Sequence, residues 1–185
     1  MAGGLSTNSV RLRKADSVDT TNGHESWTYA DGFGRTIQTR EESETNNTFR
    51  VTDTVYDDRG SVQFVTLPYF SVSTNFTKPS GAEMGMLRIY DSAGRLTNVT
   101  AAVNGTFTSG QLTGTSATSG DTGSPVAASS LAYNNGNDPW TLVTTDEAGK
   151  IHRYSLDAYG RTNQIVEVTS AGNFTTRLPT TLPGI

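Results

Sequence analysis

The chain has 185 residues, with 14 lysines and arginines against 18 aspartates and glutamates, a net charge of −4, two histidines and no cysteine. The longest basic cluster, Arg11-Leu12-Arg13-Lys14, is too short to track a phosphate backbone, which argues against nucleic acid as a partner. Without a thiol there is no disulfide, thiolate metal ligand or cysteine nucleophile, and no stretch approaches the roughly 18 apolar residues of a membrane span.

In chain order, residues 1–26 read as a polar lead-in whose opening MAGGLSTNSV lacks the charged-then-apolar order of a secretory signal. His24, in TTNGHESW, reads as a turn residue. Residues 27–103 read as a run of hairpins, beginning with YADGFGRTIQ. Within them TFRVTDTVY alternates Phe49, Val51, Asp53 and Val55 against Thr48, Arg50, Thr52 and Thr54, the period of a half-buried strand. Glu41, Glu42 and Glu44 read as a solvated strand end. An insertion near residues 69–85, PYFSVSTNFTKPSGAEMG, sets Tyr69, Phe70 and Phe76 among polar residues. These rings either cap the core edge, the favoured reading, or form a contact surface.

Residues 104–137 are Gly, Ser, Thr, Ala and Asn for the most part, with too little apolar surface to offset their ordering entropy. A loop insertion or a weakly held polar hairpin is expected there. Residues 138–170 hold two closely spaced hairpin signals, with Asp138-Pro139 leading into the strand WTLV. Residues 171–185 form a proline-containing extension, with prolines at 179 and 183 that cannot donate ladder bonds. The whole reads like a slice of a longer polypeptide whose open strand edges pack against missing repeats or against each other.

One signal recurs along the chain. Five segments, YADGFGRTIQ, YDDRGSVQF, YDSAGRLTNV, TDEAGKIHRY and LDAYGRTNQI, align on Gly34, Gly60, Gly94, Gly149 and Gly160. Each has an aspartate three residues earlier, at Asp31, Asp57, Asp91, Asp146 and Asp157, and four are followed by Arg35, Arg95, Lys150 or Arg161, with Ser61 the departure. An aspartate accepts backbone N–H bonds inside a turn, and a glycine takes the left-handed position that returns the chain to its partner strand. These ten residues are therefore structural turn residues at hairpin corners. The following arginine is expected to lie over an aromatic ring or to pair with a turn carboxylate of the next hairpin.

Tyr56-Asp57 with Gly60, and Tyr90-Asp91 with Gly94-Arg95-Leu96, resemble the YD repeats of Rhs proteins, teneurins and the shell-forming components of insecticidal toxin complexes. The resemblance covers about residues 27 to 100 and 140 to 169. It implies an all-β fold of antiparallel hairpin repeats in a twisted or spiralling sheet, part of a β-shell that encloses a toxic region or contributes to surface adhesion. The glycine spacings of 26, 34, 55 and 11 depart from a regular repeat. The Asp-Pro self-cleaving motif of some relatives is not recognisable.

Little else points to chemistry. The two histidines have no metal-ligand spacing, Asp57-Asp58 does not follow the order of a calcium loop, and there is no phosphate-binding glycine loop or nucleophile elbow. No catalytic residue, metal or cofactor is expected. His152, in GKIHRYSL, falls on a strand face, and Asn46, Asn75, Asn98, Asn104 and Asn173 are glycosylation sequences if the host modifies exported proteins. The expected function is a noncatalytic wall or scaffold segment of a secreted or cell-surface protein, with a glycan- or protein-binding adhesion module as the alternative.

Overall fold

A computed structural model describes residues 8–15, 23–45, 47–108, 111–117, 128–134 and 138–179. The fold is all-β: the described residues form fourteen strands, the pairings between them are antiparallel, and there is no helix. The chain divides into two compact units, Met1–Leu87 with Ala102–Ser124, and Arg88–Ala101 with Pro125–Ile185.

In the first unit, β1 (Asn8–Ala15), β2 (Gly23–Ala30), β3 (Thr36–Glu42), β4 (Phe49–Tyr56) and β5 (Val62–Thr66) follow one another as a meander. Residues read as lead-in thus include a strand, β1, paired along β2. His24 is exposed within β2 rather than in a turn. After Leu67 and Pro68 the chain forms β6 (Tyr69–Ser71) on β4, and later β7 (Met84–Tyr90) on β5. The later half of β8 (Leu96–Thr108) pairs with β9 (Gln111–Ala117). Residues 104–108 and 111–117 are therefore hairpin strands, whereas 118–127 lie outside the described residues.

The buried residues lie on one face of this sheet, as the alternation in β4 predicts: Phe49, Val51 and Asp53 are buried, Arg50 is exposed. Opposite pairs carry the buried row across strands, Tyr29 beside Gln38, Gln38 beside Asp53, and Thr66 beside Gly85. Trp27 meets Phe49 edge-on at 5.1 Å, and Phe64 meets Phe107 of β8 at 5.8 Å. A Cβ on Gly85 would come within 2.3 Å of the Val65 carbonyl oxygen and 2.5 Å of Phe64, so the packing there depends on the missing side chain.

In the second unit, the first half of β8, β10 (Ala128–Tyr133), β11 (Thr141–Thr145), β12 (Ile151–Leu156), β13 (Thr162–Thr169) and β14 (Gly172–Arg177) lie in that order. The extension beginning at residue 171 thus opens with a strand. One face carries the opposed series Tyr133, Leu142, Tyr154 and Ile165. None of the described residues of this unit is buried, so its strands are held chiefly by ladder bonds and cross-strand pairs.

Candidate functional site

The five Asp-x-x-Gly segments build one and the same corner. In each, the aspartate N–H bonds the carbonyl four residues on at 2.8 to 2.9 Å, and the glycine N–H bonds the aspartate carbonyl at 2.9 to 3.0 Å. Oδ1 accepts the backbone N–H two residues on at 2.9 to 3.0 Å. It also accepts the N–H four residues on at 2.8 to 3.0 Å. The glycines hold φ between 77° and 86°, the left-handed residue of a three-residue hairpin loop. A related turn precedes β11, where Asp138 accepts from Trp140 N–H at 3.0 Å and Thr141 Oγ1 at 2.7 Å.

At three corners the second carboxylate oxygen takes the arginine Nε: Arg35 to Asp31 at 2.7 Å, and Arg95 to Asp91 and Arg161 to Asp157 at 2.8 Å. The arginine pairs with its own corner, not with the next hairpin, because four residues around a tight turn bring its fork back to the carboxylate that starts it. Its guanidinium still covers a ring: Arg35 over Tyr56 at 4.4 Å, Arg95 over Tyr133 at 4.3 Å, Arg161 over Tyr159 at 5.2 Å. Burial alone would raise the Asp31 pKa, but the bonds from Arg35 and Phe33 outweigh it and hold it below the ordinary value. Asp91 is lowered chiefly by the Arg95 N–H and Asp157 chiefly by the Arg161 side chain.

The structure also assembles a polar cluster with no local sequence signature. After β6, which pairs with β4, residues 72–81 continue as a strap, Ser73 and Thr77 lying against the side chains of Arg40 and Gln38 on β3. Beneath it, Arg40 is fully buried and donates Nε to Gln38 Oε1 at 2.8 Å, with its other nitrogens on Ser71, the Ser73 carbonyl and Thr77. Gln38 Nε2 donates to Asp53 Oδ1 at 2.6 Å and to the Thr77 carbonyl at 2.8 Å; Tyr69 OH donates to Asp53 Oδ2 at 2.8 Å. Burial raises the Asp53 pKa against the lowering effect of Gln38 and Tyr69, and burial beside that carboxylate pushes the Tyr69 phenol well up. Tyr69 and Phe76, the latter against Tyr29 at 5.6 Å, cap the core, whereas Phe70 is exposed. The carboxylate of Glu83 receives Ser80 and Gly81 at the end of the strap.

Beside the first two corners lies an open groove of about 1210 Å³. The corners supply Phe33, Arg35, Tyr56 and Asp58, the strap Phe76 and Lys78, and β9 Leu112 and Thr113. Among the described residues no three His, Asp or Glu side chains are grouped to hold a metal ion. His152 lies on β12, its ring 6.5 Å from that of Tyr154.

Residues 6–112 match the family model of DUF6443, a domain of unknown function. The chain belongs to the DUF6443 family. The DUF6443 span takes in the corners at Asp31, Asp57 and Asp91, the strap, and the groove as far as Leu112. No curated protein matches the chain.

Proposed function

We propose that this DUF6443 chain is a noncatalytic segment of a secreted or cell-surface protein of the YD-repeat type. Stacked hairpins form a β-sheet wall, which encloses a toxic region in a parent protein or extends by pairing at open edges. The observation that supports this reading most directly is the use of the corner carboxylates. Their bonds close turns and hold arginines, so the recurring acid acts on the backbone it belongs to. The absence of buried residues in the described second unit also fits a wall, whose faces meet material other than their own side chains.

Strand β14 offers the test. Leu178 N–H bonds the Asn163 carbonyl at 2.9 Å, so by alternation the N–H groups of Asn173, Thr175 and Arg177 point away from β13. All six residues of β14 are exposed. Thr175→Pro therefore blocks the outer edge without removing a bond to β13. Sedimentation velocity at rising concentration is expected to show association of the natural chain that Thr175→Pro abolishes with melting unchanged. A natural chain that stays monomeric, or an assembly untouched by the proline, would count against edge pairing.

A further inference from the structure

We infer that the groove beside the first two corners is a binding site for a neutral oligosaccharide. The inference goes beyond the wall reading and concerns the first unit alone. It begins with Phe33, which is 88% exposed at the tip of its corner. The ring is not loosely held: its own N–H bonds Asp31 Oδ1 at 2.9 Å, and the Arg35 guanidinium lies 5.2 Å from the ring centroid. A large apolar ring presented to water on a fixed turn is a preorganised platform, and it loses little freedom when a ligand covers it.

The charges around it narrow the ligand. Arg35 is paired with Asp31 at 2.6 Å, and Arg59 lies 3.6 Å from Asp57. Asp58, Lys78 and buried Asp53, which accepts from Gln38 and Tyr69, complete the ionic lining, so that four carboxylates stand against three cations. A wall so nearly balanced offers no surplus field for a phosphate, a sulfated chain or a polycation. It does offer directional donors and acceptors beside an aromatic face, including the Gln63 amide, which also lines the groove. A sugar ring meets both demands, with C–H groups against Phe33 and hydroxyls toward the amide and carboxylate.

The test is titration of the full chain, followed by backbone amide NMR shifts, with neutral glucose and xylose tetrasaccharides. Heparin and polygalacturonate provide charged probes in parallel. Shifts at residues 31–35 and 56–63 are expected with a neutral probe. Phe33→Ala should weaken that binding about tenfold, the scale of a lost stacking contact, while Phe33→Trp retains it. Phe174→Ala, on exposed β14, should change nothing, and neither Phe33 variant should shift the melting temperature. The proposal fails if no neutral probe binds, if binding survives Phe33→Ala, or if only the charged probes bind and salt removes them.

Discussion

The guanidinium of Arg35 lies 4.4 Å from the ring centroid of Tyr56 while its Nε is bonded to Asp31. One corner thus holds the tyrosine that opens the next, and Tyr56 OH answers by donating to the Thr36 carbonyl at 2.9 Å. Neighbouring hairpins are fastened through side chains as well as through the ladder. Arg35→Ala is expected to cost about 1 kcal/mol, given a third of the side chain in solvent. A double-mutant cycle with Tyr56→Leu in urea should return a coupling of roughly 0.5 to 1 kcal/mol. Additive losses would show that the ring and the cation do not act together.

Gly94 has φ of 80°, and nothing lies within 4 Å of a Cβ built there. Any cost of a side chain is therefore backbone strain rather than collision. Gly94→Val should destabilise the corner by about 1 kcal/mol or more, and Gly94→Asn by less, because asparagine tolerates the left-handed region better. Thermal melting of the pair checks the order; equal losses would contradict it.

Removing Arg40 should release the strap. Arg40→Met is expected to cost roughly 3 kcal/mol, since it strips bonds from Ser71, Thr77 and the Ser73 carbonyl and removes a positive charge that favours the carboxylate of buried Asp53. Tyr69→Phe leaves only one Asp53 oxygen without its donor and should cost about 1 to 2 kcal/mol. Hydrogen exchange at residues 71–77 is the readout, with Arg40→Met raising it more than Tyr69→Phe.

Acid should act in opposite directions on two sets of carboxylates. Asp31, Asp91 and Asp157 have lowered pKa values in the fold, so their contribution is present above the unfolded carboxylate pKa and is lost as pH falls through the folded one. Asp53 is raised, so its contribution is full below the unfolded pKa and is lost as pH rises through the folded value. The stability gap between natural chain and Asp91→Asn should therefore close on acidification. A gap constant across the carboxylate range would overturn this assignment.

The corners were legible because an Asp-x-x-Gly turn is closed by atoms within five residues of each other, and local chemistry leaves a local pattern. The buried side of β4 was legible for a similar reason, since strict alternation places Asp53 with Phe49 and Val51. The strap network was not. Nothing in the local pattern marks Gln38 and Arg40 for burial, which comes from a segment more than thirty residues away that covers them. The ring beneath each corner arginine was expected, but not the carboxylate it pairs with, because the return of its fork depends on the path of the turn. Strands β1, β9 and β14 have few apolar residues, so their pairing comes from neighbours rather than composition.

The interval between corner glycines counts strands. A single strand, β12, separates Gly149 from Gly160, so those two turns emerge at opposite ends of their meander; β3 and β4 separate Gly34 from Gly60, which share an end. Deleting β3 or β4 alone would send the Gly60 bend to the other rim and part Arg35 from Tyr56, the ring that its guanidinium covers. Two strands are thus the interval that lets one corner reach the next, whereas across the single strand between Gly149 and Gly160 Arg161 covers Tyr159 of its own corner instead.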